Sequence, residues 1–153
     1  MRARRTIAVI TALLGLILTT AAPAHALSPG TWRPYGNKNP ITTSSSQWRC
    51  ASSVEIASSV AAQVCAIRSG GGHGWDVQGA VIVRNNRSTA FSTTASVTVY
   101  DRFNVEEIDT WGCGSSGVAA NSWSVCFGET FLRHTIFSEG FARGVDLGQT
   151  GDL

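Results

Sequence analysis

The sequence predicts an all-β protein: an antiparallel β-sandwich of six to eight strands with two disulfides, preceded by an extended N-terminal strap. Three observations predict it. Apolar and β-branched residues recur at every second position in four separate rows, the period of a strand with one buried face. Four cysteines, an even number, follow a leader of the secretory kind. Beyond that leader the prolines are Pro29, Pro34 and Pro40, and the rows contain none. The 153 residues fit one domain. A charged fraction of 14% is low for a soluble chain and excludes a long solvated helical bundle or a polyelectrolyte.

Residues 1–26 read as a secretory signal peptide. Arg2, Arg4 and Arg5 make the positive start, Ile7–Leu18 the apolar run, and Ala24-His25-Ala26 the small-x-small cleavage site. The run is shorter than the ~20 apolar residues a spanning helix needs. Arg4-Arg5 is not followed by the rest of a twin-arginine pattern, so the expected route is ordinary secretion and the expected location extracellular.

Residues 27–47, LSPGTWRPYGNKNPITTSSSQ, form the strap. They hold the three remaining prolines, Arg33 and Lys38, and no acid. No period of 2 or 3.6 runs through them. One reading is a flexible terminus. The other is a docking arm: proline keeps the chain extended, Trp32 and Tyr35 are costly to leave in water, and an extended segment can join a partner's groove or sheet.

Residues 48–153 are the cystine-bearing β domain. The first row is Trp48, Cys50, Ser52, Val54 and Ile56. The second is Val77, Gly79, Val81 and Val83. The third is Phe91, Thr93, Ala95, Val97 and Val99, and the fourth is Trp123, Val125 and Phe127. Asn85-Asn86-Arg87-Ser88 supplies a turn between the second and third.

The cysteines are Cys50, Cys65, Cys113 and Cys126. Three pairings are possible, and joining near neighbours, Cys50–Cys65 and Cys113–Cys126, is the simplest. Residues 52–67 also fit a helix, with Ile56, Val60, Val64 and Ile67 on one stripe and Ser52-x-x-Glu55 as a capping box. A continuous helix would hold Cys50 and Cys65 about 22 Å apart, whereas a disulfide needs Cα atoms within about 7 Å. A Cys50–Cys65 bond would therefore make this a hairpin, with Trp48 opposite Ile67 and Val54 opposite Ala61. It would stabilise the fold by about 3 kcal/mol in the chain-entropy picture.

The residues that carry chemistry are sparse, and no catalytic residue, cofactor or metal is expected. The cysteines lack C-x2-C spacing, and beyond the leader the histidines are His73 and His134. Neither sits in a hydrolase motif. Gly112–Gly117 is glycine-rich and carries serines without G-x-S-x-G. Gly70–Gly74 has no following Lys-Ser/Thr, so it is not a phosphate loop. Glu106 and Glu107 are adjacent, and on a strand they face opposite sides. Trp48 and Trp123 lie on apolar rows and are expected in the core. Trp75 and Trp111 lie beside glycine-rich turns, where they either pack at a rim or stand exposed as anchors. The net charge of +2 divides into +3 on the leader, +2 on the strap and −3 on the β domain. That balance excludes a nucleic-acid binder's basic footprint.

The leader, the strap LSPGTWRPYGNKNPITT, the two cysteine pairs and the proline-free β domain together resemble the small adaptor subunit of the umbrella toxin particles secreted by Streptomyces. Two other secreted families are less similar. The subtilisin-inhibitor family carries a Cys-Pro sequence that is missing here, and the enediyne apoproteins have shorter cysteine spacings. The adaptor resemblance implies a non-catalytic protein whose strap inserts into a cleft of a lectin-type subunit with a trypsin-like domain. It also implies that the β domain docks on the helical-repeat ring of a large toxin subunit. Within the strap, Trp32, Arg33 and Tyr35 are the expected partner-binding residues, because aromatic and arginine side chains dominate interface energetics. The alternatives are a secreted protease inhibitor, a small-ligand-carrying β-sandwich and, behind these, a small secreted hydrolase. Neither nucleic acid nor membrane insertion is expected.

Overall fold

A computed structural model describes residues 26–71 and 74–153. The expected signal peptide, apart from Ala26, lies outside the described residues, as does His73. The strands are β1 (Ser28–Pro29), β2 (Thr31–Gly36), β3 (Gln47–Cys50), β4 (Val54–Ala57), β5 (Val60–Gly71), β6 (Gly74–Asn85), β7 (Phe91–Asp101), β8 (Glu106–Val118), β9 (Ser122–Arg133), β10 (Ile136–Ala142) and β11 (Val145–Gln149). They form two sheets. A five-stranded sheet runs β1-β8-β7-β10-β11, and a six-stranded sheet runs β2-β9-β6-β5-β3, with β4 also on β5. Pairing is antiparallel except between β1 and β8.

The protein is an all-β sandwich with two disulfides. The described residues form eleven strands, against the expected six to eight. Two of them, β1 and β2, come from the strap, and one hairpin arm is split into β3 and β4. The second and third sequence rows face each other across the core: Val77, Val81 and Val83 of β6 lie in one buried cluster with Ala95, Val97 and Val99 of β7. Each of these fully buried valines contributes about 1.5–3 kcal/mol. The connection at residues 86–90 passes from one sheet to the other. Asn85 organises it from inside. Its fully buried amide donates to the carbonyls of Thr89, Val118 and Ala119 at 2.9–3.0 Å, and its Oδ1 accepts from the Arg87 N–H. An apolar residue at this position would remove all three hydrogen bonds, including the buried one to Val118.

The ambiguous segment 52–67 is a hairpin. Cys50 lies opposite Cys65 with Cα atoms 4.0 Å apart, and the two are bonded. Trp48 lies opposite Ile67, as that register requires. Val54, however, lies opposite Ala62, not Ala61. One extra residue is accommodated between β3 and β4, and it flips the face of everything after it. The first row is therefore not one face. Trp48 and Cys50 point away from the partner sheet, while Val54 and Ile56 pack into the core between the sheets. The second disulfide, Cys113–Cys126, joins β8 to β9 and so ties the two sheets together through the core.

Candidate docking surfaces

The strap is part of the sandwich. Ser28 and Pro29 pair with Trp111 and Gly112 of the five-stranded sheet. Thr31–Gly36 then pairs with β9 as an edge of the six-stranded sheet. The chain changes sheets at Gly30, where a β-carbon would lie 2.8 Å from Cys113 Sγ and 3.0 Å from the Phe127 carbonyl, so glycine is the residue that fits. Residues 37–46 must carry the chain from the β2 edge to the β3 edge, four strand spacings or roughly 19 Å away. Ten residues reach that far easily. They cross the outer face of the six-stranded sheet, where Ile41 packs on a second cluster formed by Cys65, Ile67, Ala80, Ile82 and Val125. The N-terminal segment thus belts its own body.

Strand alternation divides the three expected partner-binding residues between two faces. Trp32 turns toward the interior, packs on the main core, and donates its Nε1 hydrogen to the Gly114 carbonyl at 2.7 Å. Arg33 lies on the outer face with its guanidinium carbon 5.6 Å from the Phe127 ring centroid. Tyr35 is half-buried on the outer cluster. All three are engaged within the chain. Among the described residues the far edge of β2 has no strand neighbour and leaves a row of backbone groups unpaired.

The outer face of the six-stranded sheet also holds Trp48 and Trp123, both expected in the interior. They belong instead to the second cluster and are half-buried. The cause is the alternation itself: the fourth row faces away from the partner sheet, and the belt covers only part of it. Arg84 lies over Trp123 with its guanidinium carbon 5.2 Å from the ring centroid.

One end of the sandwich carries exposed apolar side chains among charged ones. Register places the β5–β6 tip, the β7–β8 turn and the β9–β10 turn together: Trp75 lies opposite Arg133, Asp101 opposite both Glu106 and Ile136, and Arg133 is 3.7 Å from Asp101. Here Trp75, Phe103, Val105 and Leu132 are all exposed, Phe103 by 74%. Arg68 covers one face of Trp75 at 4.6 Å. Trp111 behaves differently from Trp75 and is buried. Its ring lies over Gly128, where a β-carbon would be 2.8 Å away, and it stacks on Phe131 with centroids 6.0 Å apart. A glycine on the neighbouring sheet, far off in sequence, makes its space. The sequence reading missed Phe103, Val105 and Leu132. Phe103-Asn104-Val105, apolar residues inside a turn, was the signal for two of them.

Charge separates by sheet. Around the six-stranded sheet stand Arg33, Lys38, Arg49, Arg68, Arg84 and Arg133 against Glu55, Asp76 and Glu129, a balance of +3. Around the five-stranded sheet Arg87, Arg102 and Arg143 face seven acids, a balance of −4. On that acidic side the Tyr100 phenol is pushed above its usual pKa by burial, by the negative charges of Glu139 and Glu107, and by its own hydrogen bond to Glu139. His134 is exposed in a turn, and Glu106 and Glu107 are both exposed. No group of three or more His, Cys, Asp or Glu that could hold a metal ion occurs among the described residues. No helix there is long and apolar enough to cross a membrane. A concavity of about 440 Å³ lies on the outer face of the five-stranded sheet, lined by Leu27, Gly112, Phe141 and Arg143.

The fold and these surfaces define a class: a disulfide-tied β-sandwich belted by its own N-terminal segment, with chemically distinct faces. The chain matches no protein-family model, no curated protein and no solved structure.

Proposed function

We propose that this chain is a secreted, non-catalytic adaptor that links a lectin-type subunit to a large helical-repeat toxin subunit in an antibacterial particle. What carries the reading is the separation of two surfaces suited to two different partners. The strap side offers an unpaired strand edge with Arg33 and Tyr35 beside it. The loop end offers Trp75, Phe103, Val105 and Leu132 in water, which a protein exposes at a cost unless something covers them. Two disulfides suit an oxidising, extracellular setting. In this form the strap need not leave its own sheet: its outer edge pairs with a strand of the partner's cleft, and aromatic and arginine side chains anchor the contact.

The test is affinity capture from the supernatant of the producing culture, with partners identified by mass spectrometry. The native chain should retain both a lectin-type and a helical-repeat protein. Arg33→Glu with Tyr35→Ala should lose the first and keep the second, while Phe103→Asp with Val105→Asp should do the reverse. Recovery of both partners by both variants, or of neither by the native chain, would overturn the reading. A second reading, a small-ligand carrier, draws on the concavity between Leu27 and Phe141. A ligand copurifying with the chain and lost on Phe141→Ala would favour it.

A further inference from the structure

We infer that the outer face of the six-stranded sheet is a binding site for an acidic segment of a partner protein. This deepens the adaptor reading by giving one docking face its chemistry. Two concavities lie on that face, of about 200 and 520 Å³. Arg33 and Phe127 border the smaller, and Arg84 and Trp123 the larger. Each is thus flanked by an arginine resting on an aromatic ring. Neither is lined by an aspartate or a glutamate.

Arg84 is built to receive an anion. Its Nε donates to Asn86 Oδ1 at 2.7 Å, and its Nη1 donates to the Asn121 carbonyl at 2.8 Å and to Asn37 Oδ1 at 3.1 Å. All three acceptors are neutral. They fix the guanidinium in place without cancelling its charge, and they use Nε and Nη1, so the Nη2 edge is not consumed. The ion pairs among the described residues are Arg102–Asp152 and Arg133–Asp101, so neither Arg33 nor Arg84 has a carboxylate. A held arginine loses little freedom on binding, and its two remaining Nη2 hydrogens are left to donate charge-assisted hydrogen bonds to a carboxylate. The ring beneath adds a cation–π contact and apolar area.

The occupant is an acidic protein segment because the face offers arginines and aromatics together, the composition of protein hot spots. The strands of this sheet and the belt carry a net +3, which favours the approach of an acidic chain. The −4 half of a second copy is the competing occupant. It would stack head to tail without closing.

The experiment is fluorescence anisotropy of the purified chain with a short fluorescein-labelled peptide rich in Asp, Glu and Leu. A Lys-rich peptide of equal length and sulfated dextran serve as probes of sign and class. The acidic peptide should bind saturably and the Lys-rich one should not. Arg33→Gln with Arg84→Gln should weaken binding about tenfold or more, with the circular dichroism spectrum unchanged. Arg84→Lys should recover part of it. Equal binding by the double variant would overturn the inference. So would dextran displacing the peptide at equal charge concentration, which marks a general polyanion surface. Self-association in sedimentation that the double variant abolishes would assign the face to a second copy instead. These measurements use no natural partner, so their failure is separate from failure of the capture experiment.

Discussion

Gly30 lies so close to Cys113 that a β-carbon on it would sit 2.8 Å from the sulfur. The strap therefore changes sheets directly beside the disulfide that joins them. Gly30→Val should lift the strap from both sheets. Hydrogen exchange at Trp32–Tyr35 should speed up, and stability to urea should fall by about 2 kcal/mol, while the exchange of β6 and β7 stays the slowest in the chain.

Cys113–Cys126 closes a loop with a sequence separation of 13. Replacing both cysteines by alanine frees that loop in the unfolded chain and should lower stability by about 3 kcal/mol. Chemical denaturation of the variant beside the native chain measures it. A strong reductant, which opens both disulfides, should cost the native chain more than this double substitution does, and should cost the variant only the share of Cys50–Cys65.

Tyr100 donates to Glu139 Oε2 at 3.3 Å and has its pKa raised, first by burial and then by the neighbouring carboxylates. The folded state thus holds the phenol proton more tightly than the unfolded state. Its contribution is complete below pH 10, the ordinary tyrosine value, and is lost as pH rises through the higher folded value. Thermal melts should show stability falling above pH 10, and Tyr100→Phe should flatten that fall.

The Ser138 hydroxyl is buried without a hydrogen-bond partner among the described residues. An unmade buried hydrogen bond costs free energy that an alanine avoids. Ser138→Ala should leave stability unchanged or raise it by up to about 1 kcal/mol, read from the urea midpoint at constant slope. A loss of comparable size would show that the hydroxyl is satisfied.

The all-β class, the two core rows on β6 and β7, and the local cystine pairing as the simplest choice were all legible in the order of residues. Each of these is a short-range matter. Alternation of Val77, Val81 and Val83 marks a face whatever lies opposite, and cysteines a dozen or so residues apart can meet through one turn. The composition boundary near residue 47 was legible too, since proline content changes there.

The remaining features depend on contacts between residues far apart in the chain. The alternation of Trp48, Cys50, Val54 and Ile56 reads as one face, but an extra residue before β4 divides it, and only the pairing with β5 reveals the slip. Trp111 is buried because Gly128, on the other sheet, leaves room for its ring. The strap belongs to the body because its two edges and Gly30 fit a gap between sheets that no local pattern describes. Arg84 and Trp123 become a site only when β6 and β9 pair, which sets one side chain over the other. Periodicity states which side of a strand is apolar. It does not state what covers that side, because the cover is brought there by the rest of the chain.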